Sequence, residues 1–348
     1  MAQFEYGKAL AALMIPEVVS ALGDIRELKG KVASLSAISP ETFSALVEVA
    51  KIQSTGASNR IENISTSDKR LRDLMLDKTD PRNRDEREIA GYRYALDEIH
   101  ESHDDIPVTP NVILQLHRDL YRFASDSCAG RWKDSDNVIA ERTAEGELVA
   151  RFVPTSAAGT PAAVERICSE CSRQISAGTY DPLLVSLVFV FDFVSIHPFN
   201  DGNGRMSRLL SLLLMYRNGY DVGKYVSIEK EIERTKETYY EALAASSSGW
   251  RDGENDYAPF VTYMLGIVAA CYRELGGRFS VAVSPVGNEE AVRAFFDRMV
   301  GTATKREIMD ANPGMSQRTL ERILAKLQSE GVVEKVGAAR STAYRRRG

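Results

Sequence analysis

Residues 197–208, HPFNDGNGRMSR, gather the side chains of this chain best suited to chemistry. The stretch lies between two apolar segments, so it reads as a loop running into the start of a helix. Gly202 and Gly204 leave the backbone free to turn its N–H groups toward one point, an anion nest. A helix beginning there adds the positive end of its dipole. Arg205 and Arg208 stand three apart on that helix, and their planar forks can clamp phosphate oxygens. Asp201 offers a hard oxygen ligand for Mg2+ carrying phosphates. His197 opens the loop, and an imidazole with an ordinary pKa of about 6.5 serves as a general base at neutral pH. The set is a phosphate site with a metal ligand and a base, and no evident protein nucleophile.

The elements that must position this loop are mostly helical. Apolar residues recur at helical spacing over residues 42–53, 84–100, 110–123, 161–176, 205–217, 231–246 and 257–275. Asp181–Pro182 opens a further, strongly apolar helix, with proline at a tolerated first-turn position. Residues 137–154 break the pattern: β-prone residues flank Glu145–Gly146, which reads as a hairpin. The expected class is mainly α, a helical bundle with one hairpin and a small C-terminal module.

The composition is that of a folded chain: 348 residues, 44% hydrophobic, 27% charged, net charge −5. Such mild acidity argues against a protein that coats nucleic acid with its whole surface. The most apolar stretch, residues 183–196, contains Ser186, Asp192 and Ser195 and is shorter than the roughly 20 apolar residues of a membrane crossing. With no signal-peptide pattern at the start, a cytoplasmic, membrane-free protein is expected. Cys168 and Cys171 read as two thiols one turn apart on a helix, and no second pair completes a zinc set. His100 and His103 beside Asp104–Asp105 read as a solvated helix end. After a linker near residues 280–288 the charge changes sign. Residues 302–348 carry ten Lys and Arg against five Asp and Glu, or +5, leaving −10 for the remainder. That segment reads as helix, turn, a second helix N-capped by Ser316, and two wing strands.

The stretch from His197 to Arg208 resembles the signature of the Fic family, HPFx(D/E)GNGRxxR, at every specified position, and the resemblance covers about residues 50–275. It implies a Fic-type helical bundle with a hairpin flap and transfer of AMP from ATP to a Ser, Thr or Tyr hydroxyl of a protein. By that resemblance His197 takes the hydroxyl proton, while Pro198 and Phe199 anchor the loop. Asp201 holds Mg2+, and Gly202, Asn203 and Gly204 cradle the phosphates. Arg205 contacts the inner phosphates and Arg208 the γ-phosphate. A related branch resembling Doc toxins has lysine where this chain has Gly204, which favours the AMP-transferring pose here.

Ser58–Asn59–Arg60–Ile61–Glu62–Asn63 is similar to the family's inhibitory motif, (S/T)xxxE(G/N). Ser58 and Glu62 are one helical turn apart, and the resemblance implies that Glu62 pairs with Arg208 and denies it to ATP. De-AMPylation is a secondary activity the resemblance implies. Phe152, Val153 and Pro154 resemble the end of the target-docking flap, where strand addition would hold the target. Tyr239 and Tyr240 resemble the pair lining the adenine pocket, although Ser247 stands where relatives carry asparagine. His117 matches a structural position. The C-terminal module resembles a winged helix-turn-helix, with Gln317, Arg318 and Arg322 toward a major groove and Arg340 and Arg345 toward phosphates; a protein-binding role on the same scaffold stays open. The expected organisation is a helical region over 1–105 with the inhibitory helix near 54–64, a core over 106–278, a linker and connecting helix over 279–300, and the winged module over 301–348. The resemblance also implies a homodimer. The alternative reading is a DNA-binding regulator whose core senses nucleotide.

Overall fold

The computed structural model describes residues 4–36, 40–124, 128–142, 148–282, 288–299, 302–312, 315–337 and 342–347, and these are mainly α-helical. In order they form α1 (Tyr6–Ala12), α2 (Pro16–Ser36), α3 (Pro40–Ile61), α4 (Asp68–Met75), α5 (Arg84–Ser102), α6 (Pro110–Leu120), β1 (Ile139–Arg142), β2 (Leu148–Phe152), α7 (Thr160–Ala177), α8 (Pro182–Ile196) and α9 (Asn203–Arg217). There follow α10 (Ile228–Arg234), α11 (Lys236–Ser247), α12 (Ala258–Ala282), α13 (Asn288–Arg298), β3 (Ala303–Thr304), α14 (Lys305–Ala311), α15 (Gln317–Ser329), β4 (Val333–Val336) and β5 (Ala343–Arg346). Two compact units result, residues 1–26 with 50–271 and residues 27–49 with 272–348. The division cuts through the 1–105 region read from the sequence. Composition marks a boundary only where the chain changes character, and the described residues among 27–49 are as helical as their neighbours.

The first unit is built around α8. This helix is apolar on all sides, so it must be covered on all sides. It packs against α7, α9 and α1. Pro182 opens it, and Asp181 caps it by accepting the Leu183 N–H at 2.9 Å. Its buried charged residue is Asp192, whose carboxyl is pushed up to about 7 by burial. It accepts from Trp250 Nε1 at 2.7 Å and from the Tyr257 hydroxyl at 3.0 Å. The Trp250 ring in turn lies 5.8 Å from that of Phe152 on β2, so the carboxylate network reaches the base of the hairpin. β1 and β2 pair antiparallel from Ile139↔Phe152 to Arg142↔Leu148, with an irregularity between Ile139 and Ala140. The Glu145–Gly146 turn lies outside the described residues.

One expected helix is two. Residues 231–246 contain a break at Thr235, which leaves helical geometry at φ −118°, ψ 37°. Its hydroxyl bonds the Glu231 carbonyl at 2.9 Å and the Tyr263 hydroxyl at 2.8 Å. A side chain that competes for the backbone in this way is a natural helix stop.

In the second unit, β3, β5 and β4 form an antiparallel sheet in that order. Leu320, Ile323, Leu324 and Leu327 of α15 bury against Ile308, Phe296, Val333 and Tyr344. Ser316 caps α15 by accepting the Thr319 N–H at 3.1 Å. Part of the 312–314 turn lies outside the described residues.

Phe191 tests the central helix. It is fully buried, with the rings of Tyr257 and Phe260 at 5.3 and 5.4 Å. Phe191→Ala should lower unfolding stability by about 3–5 kcal/mol, read by chemical denaturation.

Candidate active site

α8 ends at Ile196, and the loop that follows is held by side chains from elsewhere in the chain. His197 takes the left-handed conformation, φ 52° and ψ 61°, uncommon for a residue with a side chain. Phe199 is fully buried and stacks on His117 at 3.7 Å, nearly parallel. The Asn203 amide closes the loop: its Oδ1 accepts the Phe199 N–H at 2.9 Å, and its Nδ2 donates to the Phe199 carbonyl at 2.8 Å. His117 Nδ1 accepts the Gly130 N–H at 2.9 Å, which places its proton on Nε2, 3.1 Å from the Asp201 carbonyl. His117 is therefore a loop support. Gly202 sits at φ 82°, where a Cβ would come within 3.0 Å of the Tyr121 hydroxyl. α9 then starts at Asn203, and its first amides have no acceptor within the helix.

The two arginines of α9 part company. Arg205 is 1% exposed and turns into the core, with Nη1 at 2.7 Å from Glu88 Oε2 on α5 and Nη2 donating to the Tyr121 hydroxyl at 2.8 Å. It does not join Arg208 as a second fork at the cavity, because the buried Glu88 carboxylate draws its charge inward. The Asn203 side chain is likewise committed to the loop. Asp201 stays largely exposed, its Oδ1 accepting the Gly202 N–H at 2.7 Å, with Arg84 and Arg205 at 3.6 and 3.9 Å from Oδ2. Among the described residues no group of three or more His, Cys, Asp or Glu is arranged to hold a metal. A lone, solvent-facing carboxylate beside a helix start nonetheless fits Mg2+ delivered with a polyphosphate, which needs one or two protein ligands.

Arg208 is 4% exposed and fully engaged. Its Nε donates to Ser58 Oγ, and its Nη2 donates to the Ser58 carbonyl and to Glu62 Oε1, each at 2.8 Å. The α3 end that supplies these acceptors is buried at Ser54, Thr55, Ser58 and Asn59. Arg60 makes a bidentate pair with Glu233 at 2.6 and 2.8 Å, and Lys236 Nζ donates to the Ile61 carbonyl at 2.7 Å. Asn63 terminates the turn at φ 61°, a conformation that glycine and asparagine tolerate, which accounts for the residue types the motif allows there. Glu62 Oε1 would lie 2.1 Å from a Cβ on residue 204, so the absent side chain of Gly204 makes the room that the carboxylate occupies.

A cavity of about 300 Å3 opens beside these groups. Glu62, His197, Gly204 and Arg208 line one part; Tyr239, Tyr240, Leu243 and Ser247 of α11 line another. Phe152 and Arg151 of β2 complete it from the hairpin. Arg151 was not read from the sequence; its Nη2 donates to the Tyr240 carbonyl at 2.8 Å, linking hairpin and α11. Its place one residue before Phe152 was the available signal. Val153 and Val138 are exposed on the hairpin, and Pro154 is buried.

The remaining candidates lie elsewhere. Cys168 and Cys171 are buried and unpaired, and burial pushes the Cys171 thiol up to about 12, so neither is a thiolate at neutral pH. His100 and His103 pack their rings edge-on against Tyr216 at 5.4 and 5.6 Å rather than ending a helix in water, because α9 runs beside α5. Gln317, Arg318 and Arg322 are exposed on α15, while Arg345 pairs with Glu334 and Arg340 lies outside the described residues. No helix among the described residues is long and apolar enough to cross a membrane.

Fold and site thus define a helical protein with a histidine at a cavity beside the start of a helix. Residues 107–215 match the family model for the Fic/DOC family. It is 29% identical over 164 residues to the protein adenylyltransferase fic-1 of Caenorhabditis elegans, covering 47% of this chain and 27% of that one. With the protein adenylyltransferase Fic of Drosophila erecta the identity is 31% over 183 residues, covering 51% and 31%. The chain therefore spans less than a third of the length of these curated relatives. Among solved structures, a Fic family protein from Desulfovibrio desulfuricans G20 aligns with a TM-score of 0.60 at 22% identity, covering 96% of this chain and 97% of that one. A Fic domain-containing signaling protein from Bacteroides thetaiotaomicron aligns at 0.63 and 24% identity, covering 74% and 97%. At such identities the likeness is one of fold.

Burial holds the His197 imidazole down to about 4, with Lys133 adding to the shift and the Val194 carbonyl, Glu62 and Asp201 opposing it. An NMR titration should therefore place its midpoint well below the usual value of about 6.5. The unfolded chain binds this proton more readily, so the stability His197 contributes is full above about pH 6.5 and lost as pH falls toward 4. Comparison of wild type with His197→Ala across that window measures it.

Proposed function

We propose that this chain is a protein adenylyltransferase held in check by Glu62. The observation that carries the reading is that Arg208, the cation of the cavity nearest the α9 start, is already bonded to Ser58 and Glu62. In the working state Arg208 and the α9 amides bind the outer phosphates of ATP, and Tyr239 and Tyr240 face the base. A Ser, Thr or Tyr hydroxyl of a target protein, laid along the hairpin, attacks the α-phosphorus. The new bond joins the hydroxyl oxygen to that phosphorus, the bond to the β-phosphate bridge breaks, and pyrophosphate leaves. The proton goes to His197 Nε2, left with its lone pair when Nδ1 donates toward the Val194 carbonyl at 3.4 Å. Mg2+ bound through Asp201 would neutralise charge on the phosphates. Positioning and charge neutralisation do the rest.

While Glu62 pairs with Arg208, the γ-phosphate loses its partner and ATP is not seated for transfer. Released from that pair, the Glu62 carboxylate can orient water for removal of AMP. In the C-terminal unit, Arg318 and Arg322 on the exposed face of α15 are the residues that would approach DNA phosphates and bases, on the reading of that unit as a winged helix.

Incubation with labelled ATP and Mg2+ tests the reading. Glu62→Gly should raise label transfer above wild type, to itself or to lysate proteins, and His197→Ala in that background should lower it by about 10²–10⁴-fold. Absence of transfer in every variant, together with tight binding of a DNA operator, would instead favour a nucleotide-sensing regulator.

A further inference from the structure

Residues 132–137, WKDSDN, stand sixty or more positions before the 197–208 loop, yet they hold its backbone on both sides of His197. The Lys133 N–H donates to the Pro198 carbonyl at 2.9 Å. Its Nζ donates to the Ile196 carbonyl at 3.2 Å and to Asn137 Oδ1 at 2.8 Å. Asn137 Nδ2 reaches the Phe199 carbonyl at 3.4 Å. The carbonyls just before His197 and just after it, and the next one along, are thus all taken by one short segment. Lys133 is 3% exposed, an unusual place for a lysine. Its ammonium sits on the last carbonyl of α8, where a helix favours positive charge.

This clamp falls where the backbone needs one. His197 is left-handed without being glycine, a conformation that persists only when the surroundings enforce it. Turned that way at the end of α8, its side chain lines the cavity with Arg208 and Gly204. We propose that Lys133 is a positioning residue for His197, holding the 196–199 turn in the form that aims the imidazole at the reacting hydroxyl. The inference rests on the reading of His197 as the base that takes the hydroxyl proton. Lys133 touches neither ATP nor the target in this arrangement; it acts through the turn and through its charge. The charged groups that bear on the imidazole are Lys133, which disfavours its protonation, and Glu62 and Asp201, which favour it.

The test uses the full chain in the Glu62→Gly background, with Lys133→Met replacing the ammonium by an uncharged side chain of similar length. A misplaced base should lower kcat for labelled AMP transfer by about 100-fold. KM for ATP should stay within about twofold, because Arg208 and the α9 start are untouched. The His197 imidazole midpoint, read by NMR without nucleotide, should rise. Asn137→Ala keeps the charge but removes one strut, so it should lower kcat less and leave the midpoint in place. A kcat for Lys133→Met within about twofold of its parent overturns the proposal, as does a lysine whose loss lowers only the melting temperature. If Lys133→Met does not fold, Asn137→Ala decides, and an unchanged kcat there overturns it. If Glu62→Gly itself transfers nothing, the adenylyltransferase reading fails; the titration then decides the role of Lys133, and an unmoved midpoint rules it out.

Discussion

A guanidinium buried to 4% exposure must have an anion, and Arg208 has Glu62. Removing one partner from a buried charge pair leaves the other stranded, at a cost of several kcal/mol. Arg208 can therefore exchange Glu62 only for something equally anionic, such as a phosphate. Much of the nearby structure serves this pair. The α3 end is buried and fastened by Arg60–Glu233 and by Lys236, and α9 presents the glycine against which Glu62 rests. In the proposed function the same constraint is the brake, since carboxylate and nucleotide compete for one fork.

The 197–204 loop is small and glycine-containing, and it is held by polar clamps rather than by its own packing alone. Asn203 bonds Phe199 on both sides, His117 holds the Asp201 carbonyl, Lys133 and Asn137 hold the turn around His197, and Glu88 holds Arg205. Only Phe199 contributes a large apolar anchor. Such an arrangement fixes backbone direction to within a hydrogen bond, as the proposed function requires for aligning a base, a phosphorus and a hydroxyl.

Periodicity revealed many of the helices because each buries one face or, in α8, every face; α1, α2 and α4 were not among them. It failed at Thr235, where one hydroxyl competes for the backbone and splits a helix that the apolar pattern runs through. The candidate site was legible where it is contiguous. Residues 197–208 carry histidine, carboxylate, glycines and arginines in one run, and Glu62 was reached through the resemblance of residues 58–63 to the inhibitory motif. Glu88, Tyr121, Lys133, Asn137 and Arg151 were not legible. They are single polar residues on other elements, with no fixed spacing to the loop they serve.

Sequence by itself determined the loop and the helix start, because glycine freedom, helix N-terminal amides and the short reach between neighbours are local properties of the backbone. It could not decide which charges would pair. Arg205 and Arg208 are alike by type and by spacing, yet one is drawn into the core by Glu88 and the other stands at the cavity with Glu62. Those partners lie 117 and 146 positions away along the chain. Buried charges find their partners through contacts between helices, so only the tertiary structure could show which arginine pairs in the core and which lines the cavity.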